Sequence, residues 1–207
     1  MNKTLRAAPY SILVAGHGSR DRDALLEFEG LMELIRQRSG DCSVAHAYLE
    51  FAEPTIDVSV RRMVADGARR IVLLPALLGA AAHAKNDMPA EMLALKEEFP
   101  EVQFHYGAAM DLHPLLLDLC RKRLIEAEAR CQNLRRREDT CLVVVGRGTT
   151  DPDANSDVSK LARILEEGMG YGASFVCYAG TARPLVRQGS STFQRRWRRR
   201  PLNLERS

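Results

Sequence analysis

Short runs that are apolar on both sides alternate along this chain with longer stretches in which apolar residues recur every three or four positions. The first kind, at 12–15, 44–49, 70–74, 102–106, 142–145 and 174–178, reads as buried strands. Ile71-Val72-Leu73-Leu74 has no polar side at all, as a parallel sheet covered on both faces requires. The second kind, at 23–38, 55–67, 89–99, 114–137 and 155–169, reads as helices. In the first of these Leu25, Phe28, Met32 and Ile35 lie on one stripe, the mark of a helix with a single buried face. Regular alternation of the two kinds predicts an α/β fold, a parallel sheet flanked by helices on both faces. Ligands of such sheets gather outside the carboxyl ends of the strands, so the residues that follow each strand matter most.

Those residues repeat. Gly16-His17-Gly18-Ser19 follows the first strand and Gly146-Arg147-Gly148-Thr149 the fifth, an offset of 130 from 17 to 147. In the same register Asp21 and Asp23 map to Asp151 and Asp153, Tyr48 to Tyr178, Ala52 to Ala182 and Pro54 to Pro184. The chain therefore reads as a tandem repeat with a truncated second lobe. Residues 1–137 form the first lobe, with 114–137 as its last helix and bridge, and 138–189 form a partial second copy. Beyond Gly189 the sequence turns basic, with Arg195-Arg196-Trp197-Arg198-Arg199-Arg200, and shows neither strand nor helical stripe. Residues 190–207 are expected to be a disordered tail.

Composition narrows the class without naming it. Of 207 residues 45% are hydrophobic and 28% charged, ordinary for a soluble globular protein. No run approaches the ~20 apolar residues that span a bilayer. The apolar stretch after Met1 is too short for a signal-peptide core, so a cytoplasmic, membrane-free protein is expected. The five cysteines, at 42, 120, 131, 141 and 177, include no Cys-x-x-Cys pair; they are expected to be reduced and mostly buried. The net charge of +3 rests partly on the basic tail. Nucleic-acid binding through that tail is a rival reading, but the chain lacks any recognised reading motif.

The chemistry lies at three strand ends. His17 stands between two glycines that let the chain turn and leave its imidazole accessible. The loop is not a dinucleotide fingerprint, because Asp21 occupies the place of the third glycine. His83 lies after the third strand, in the small-residue run Gly79-Ala80-Ala81-Ala82-His83-Ala84. Asp87 is placed to cap the following helix and Pro89 to sit in its first turn. Two imidazoles from neighbouring strand ends suit a divalent first-row metal; each could also be a structural histidine. Glu50, after the second strand, could complete a site with open positions or take a proton; it could equally be a surface glutamate. The second copy is an internal control, with Arg147 at the place of His17 and Gly180 at that of Glu50. His46 and His105 lie within strands and read as structural, and His113, before Pro114, reads as a helix starter.

Three segments carry a resemblance: Leu13-Val14-Ala15-Gly16-His17-Gly18-Ser19-Arg20, Tyr48-Leu49-Glu50-Phe51-Ala52-Glu53-Pro54-Thr55-Ile56, and His83-Ala84-Lys85-Asn86-Asp87-Met88-Pro89. Together and in order they resemble the signature segments of sirohydrochlorin cobaltochelatases of the CbiX type. These are class II chelatases related to sirohydrochlorin ferrochelatases and small nickel chelatases. The resemblance spans the first copy and the second to about Gly189. It implies a two-lobed α/β fold, as one long chain or a dimer of short ones, with the tetrapyrrole between lobes. It implies a lyase-type enzyme of cobalamin biosynthesis that inserts Co2+ into sirohydrochlorin or a close isobacteriochlorin. His17 and His83 would hold the metal with help from Glu50, and the same three would carry the catalysis. No organic cofactor is implied, only the metal and the tetrapyrrole. Ser19, Arg20 and Lys85 are the candidates for holding the substrate's carboxylates. Fe2+ or Ni2+ chelation are the alternatives within the family; a metal-binding or delivery protein without turnover is the alternative outside it. The incomplete second copy leaves room for a homodimer.

Overall fold

Six strands and five α-helices form among the residues that this computed structural model describes, 10–79 and 83–188, with His83 and Ala84 described by backbone alone. The basic tail read at 190–207 lies outside these residues. The chain divides into two units, one running to Asp111 and the other starting at Leu112.

In the first unit the elements run β1 (Ser11–Gly16), α1 (Arg22–Arg38), β2 (Val44–Tyr48), α2 (Ile56–Ala65), β3 (Arg70–Pro75), α3 (Met88–Glu98) and β4 (Gln103–Tyr106). All four strands are parallel, in the order β2-β1-β3-β4. Alternate side chains of β1 explain the layering. Leu13 and Ala15, both fully buried, face α2 and α3, where Ile56, Val60, Met88 and Leu95 close the main core. Each such large apolar side chain contributes roughly 1.5–3 kcal/mol when fully buried. On the other face α1 packs through the fully buried Met32, and its Phe28 ring lies 5.2 Å from that of Tyr48 and 6.1 Å from that of His46. The predicted α/β fold, parallel strands between helices, is the fold observed. Because β2 and β3 flank β1 on opposite sides, the loops after β1 and β3 part toward opposite faces. That is where an open parallel sheet has its crevice.

Strand β2 lies at the edge of the sheet, and three of its outward-facing backbone groups are taken up by neighbours. Tyr48 N–H donates to the Pro54 carbonyl at 2.9 Å, the Ser59 hydroxyl donates to the His46 carbonyl at 2.9 Å, and Arg36 Nε reaches the Val44 carbonyl at 3.5 Å.

The second unit holds α4 (Pro114–Ala129), β5 (Cys141–Gly146), α5 (Pro152–Met169) and β6 (Ala173–Tyr178), with β5 and β6 parallel. The helix expected at 114–137 ends at Ala129, and it groups with the second unit rather than closing the first. The reason is a tie made after the helix stops. Arg137 Nη2 and Nε donate to the two carboxylate oxygens of Glu128 at 2.7 and 2.9 Å, and the Tyr171 hydroxyl donates to Glu128 Oε1 at 2.6 Å. Burial and the Glu128 carboxylate push the Tyr171 hydroxyl up to about 12. Of the five cysteines only Cys177 is buried and Cys131 is exposed, so the expectation that most are buried fails.

Backbone details of the first unit recur 130 residues later. Leu49 N–H donates to the Gly16 carbonyl and Ala179 N–H to that of Gly146, while Tyr178 N–H donates to Pro184 as Tyr48 does to Pro54. Both prolines follow cis peptide bonds.

Candidate metal centre

The loop after β1 is built to touch the loop after β2. Gly18 has φ +89°, and a Cβ placed there would lie 1.7 Å from the Glu50 carbonyl oxygen, so no side chain fits. Leu49 and Glu50 donate their N–H groups to the carbonyls of Gly16 and His17, each at 3.0 Å, which fastens the two loops together. The Ser19 hydroxyl accepts from Asp21 N–H at 3.0 Å, and the Asp21 carboxylate accepts from Asp23 N–H at 3.0 Å, capping α1. Beyond Glu50 the chain turns through Phe51 at φ +66°, and the Glu53 carboxylate accepts from Thr55 N–H at 3.0 Å as α2 starts.

This scaffold brings two of the predicted site residues into contact. His17 Nε2 lies 3.3 Å from Glu50 Oε1, and 27% and 40% of the two side chains remain exposed. His17 Nδ1 is 3.3 Å from the Gly18 carbonyl, so each ring nitrogen faces an oxygen acceptor and a neutral imidazole can donate to one of the two. A second ring is involved. Phe51 stacks on the His17 imidazole, with centroids 5.9 Å apart and planes 23° apart, and the Arg20 guanidinium carbon sits 4.8 Å from the Phe51 centroid. An imidazole nitrogen and a carboxylate oxygen, adjacent and open to solvent, can share a divalent ion or pass a proton.

The third predicted residue follows β3 in the chain. His83 opens a π-helical turn, His83–Asp87, that runs directly into α3. Lys85 is exposed in the same turn. Asp87, expected as a cap, has helical φ and ψ and makes no capping hydrogen bond, because the turn before it is already helical; Pro89 does occupy the first turn of α3. Among the residues whose side chains are described, no group of three potential ligands assembles; what is described of the centre is the His17–Glu50 pair with Ser19 and Arg20 beside it.

The other histidines are held by the fold. His46 in β2 meets Phe28 and Tyr48 edge-on, with Arg36 Nη2 3.3 Å from its Nδ1; burial, then the Arg36 charge, lowers its pKa. His105 is edge-on to Tyr10. His113 Nδ1 accepts from Leu115 N–H at 3.2 Å and starts α4, as its position before Pro114 suggested. Phe51 was not singled out from sequence. A bulky apolar residue among the carboxylates of Glu50-Phe51-Ala52-Glu53 was the available signal. Among the described residues no helix is long and apolar enough to cross a membrane.

Comparison with known proteins adds a family context. The model of the CbiX family matches residues 11–127 and 141–200, and so runs past the point where the repeat was read as breaking off. The sirohydrochlorin cobaltochelatase of Priestia megaterium is 35% identical over 179 residues, 86% of this chain and 58% of that protein. The sirohydrochlorin ferrochelatase of the same organism is 29% identical, over 86% of this chain and 65% of its own length. SirB from Bacillus subtilis, solved with Fe3+, superposes with a TM-score of 0.81 at 28% identity, covering 90% of this chain and 71% of that one. The chain thus spans about three fifths of the length of the curated relatives it matches, 58% and 65% for these two.

Proposed function

The chain belongs to the CbiX family, and from that premise we propose that it is a sirohydrochlorin chelatase, a lyase-type enzyme that inserts a divalent metal into the tetrapyrrole, with Co2+ as its metal. The observation that carries this reading is the His17–Glu50 pair, 3.3 Å apart and half-open to solvent at the carboxyl edge of a parallel sheet. A cobaltochelatase among the relatives is 35% identical, against 29% and 32% for two ferrochelatases, a narrow margin that makes cobalt the first metal to test.

Insertion replaces two pyrrole N–H protons by one metal ion. The protein must strip water from the ion, hold it briefly and receive the protons. In the proposed centre His17 and His83 hold the ion through neutral imidazoles, and Glu50 shares it or accepts a proton at Oε1. Imidazole and carboxylate bind first-row ions loosely enough to release them to the ring, where clustered thiolates would retain them. Arg20 and Lys85, both exposed, would engage the substrate's carboxylates. The Ser19 oxygen already accepts from Asp21 N–H, so its hydroxyl proton is the part left to donate. Anaerobic incubation of the chain with sirohydrochlorin and Co2+, Fe2+ or Ni2+ tests the proposal. A change in the tetrapyrrole absorption that is fastest with Co2+ is expected. Binding of metal or tetrapyrrole without turnover would leave a carrier rather than an enzyme.

A further inference from the structure

Phe51 carries two costs that the fold does not require. It holds φ +66°, a region that bulky side chains avoid, and it leaves 51% of its surface exposed. The turn itself does not demand an aromatic, because Thr181 occupies the matching position of the second unit at φ +32°. Uncompensated strain of this kind concentrates where function holds it in place. Phe51 lies against two of the predicted site residues. Its ring lies nearly parallel to the His17 imidazole at 5.9 Å, and Arg20 lies 4.8 Å from its centroid. Stacking on a flat ring restricts rotation of the imidazole about its Cβ–Cγ bond. The stack sets the plane in which Nε2 meets Glu50.

We propose that Phe51 is a positioning residue for His17, holding the imidazole plane so that Nε2 and the Glu50 carboxylate present one ready-made pair to the incoming metal ion. This rests on the reading of His17 as a metal ligand. Supporting groups that orient ligating histidines typically change metal affinity by ~10–100-fold when removed. The attraction of Arg20 to the ring face helps keep Phe51 in place.

Three variants of the full chain decide the matter: Phe51→Tyr, Phe51→Leu and Phe51→Thr. All keep a Cβ at the strained position, and threonine is already accepted by the same turn at 181. Titration with Co2+ alone should show Phe51→Tyr within about twofold of the parent, and Phe51→Leu and Phe51→Thr weaker by about tenfold. In the chelation assay the KM for Co2+ should rise in step while the KM for sirohydrochlorin stays unchanged. Parent-like Co2+ affinity in Phe51→Leu and Phe51→Thr, or equal loss in Phe51→Tyr, overturns the proposal. So does a rise confined to the KM for sirohydrochlorin, which would make the ring a platform for the macrocycle. His17→Ala in the same titration separates the two ideas. If it loses Co2+ binding while the Phe51 variants do not, only the positioning role fails. If it keeps Co2+ binding, the metal-ligand reading falls and this inference with it.

Discussion

Where β1 gives way to α1 the chain reads Gly16-His17-Gly18-Ser19; where β5 gives way to α5 it reads Gly146-Arg147-Gly148-Thr149. The backbones agree closely. Gly18 and Gly148 have φ of +89° and +84°, and Ser19 and Thr149 each accept from the N–H of the aspartate two residues on, which in turn caps the helix. Glu50 N–H donates to the His17 carbonyl at 3.0 Å, and Gly180 N–H to that of Arg147 at 2.9 Å. Three side chains differ in kind: Arg147 for His17, Gly180 for Glu50, Thr181 for Phe51. The second loop is braced instead by Asn155, whose amide bonds the N–H and carbonyl of Thr149 at 3.1 and 2.7 Å, where the first unit has Leu25. A turn that forms without His, Glu or Phe shows that those three residues are not there to make the turn.

The sharpest way to break this contrast is to remove one side chain from each loop. His17→Ala should reduce chelation to the uncatalysed rate with little change in unfolding midpoint, because the residue is partly exposed in a strand-end loop. Arg147→Ala should leave the turnover rate largely intact. The next largest effect tests the shared backbone. Gly18→Ala should cost the first unit at least ~3 kcal/mol, because its Cβ would lie 1.7 Å from a carbonyl oxygen; Gly148→Ala should cost the second less, the corresponding distance being 2.5 Å. Hydrogen exchange resolved by segment reads the two separately, and equal losses would count against the closer fit claimed for the first loop.

Glu128 belongs to the second unit alone. The Arg137 guanidinium and then the Tyr171 hydroxyl hold its carboxyl below the usual glutamate range. Its contribution is therefore complete above the unfolded value of ~4.3 and is lost as pH falls through the lower native value. Glu128→Gln should destabilise the second unit by about 1–2 kcal/mol at neutral pH and flatten its acid sensitivity, with protection in the first unit unchanged. The smallest expected effect is a gain. The double substitution Arg147→His with Gly180→Glu copies the pair into the second loop. Gly180 is outside the left-handed region, and a Cβ there meets nothing nearer than the Arg147 carbonyl at 3.8 Å. A weak second Co2+ binding event by calorimetry would show that loop shape plus the pair suffices to bind metal; a single event would show that more is needed.

Much of this was legible from the chain because the relevant physics is local. Apolar runs and three-to-four spacing placed every strand and the starts of most helices within a residue or two, and strand polarity put His17 and Glu50 at one edge. What escaped depends on groups distant in sequence. Helix α4 stops at Ala129 and the chain returns so that Arg137 can reach Glu128; on a continuous helix those residues would sit roughly 13 Å apart along the axis. The π-helical turn at His83–Asp87 has no side-chain period that would announce it. The closeness of His17 to Glu50 depends on Gly18 letting two loops meet, and the stack of Phe51 on His17 depends on a left-handed φ. Neither is encoded in spacing.

The outer edge of β2 has a consequence for how the protein behaves in a crowded solution. An open strand edge is a template on which another chain's strand can grow, and edge-to-edge growth is a common start of aggregation. Here the Tyr48 N–H, the His46 carbonyl and the Val44 carbonyl are already engaged by Pro54, Ser59 and Arg36. A foreign strand would have to displace a turn, a helix hydroxyl and a guanidinium to complete its ladder, which hinders β-type self-association at this edge of the first unit.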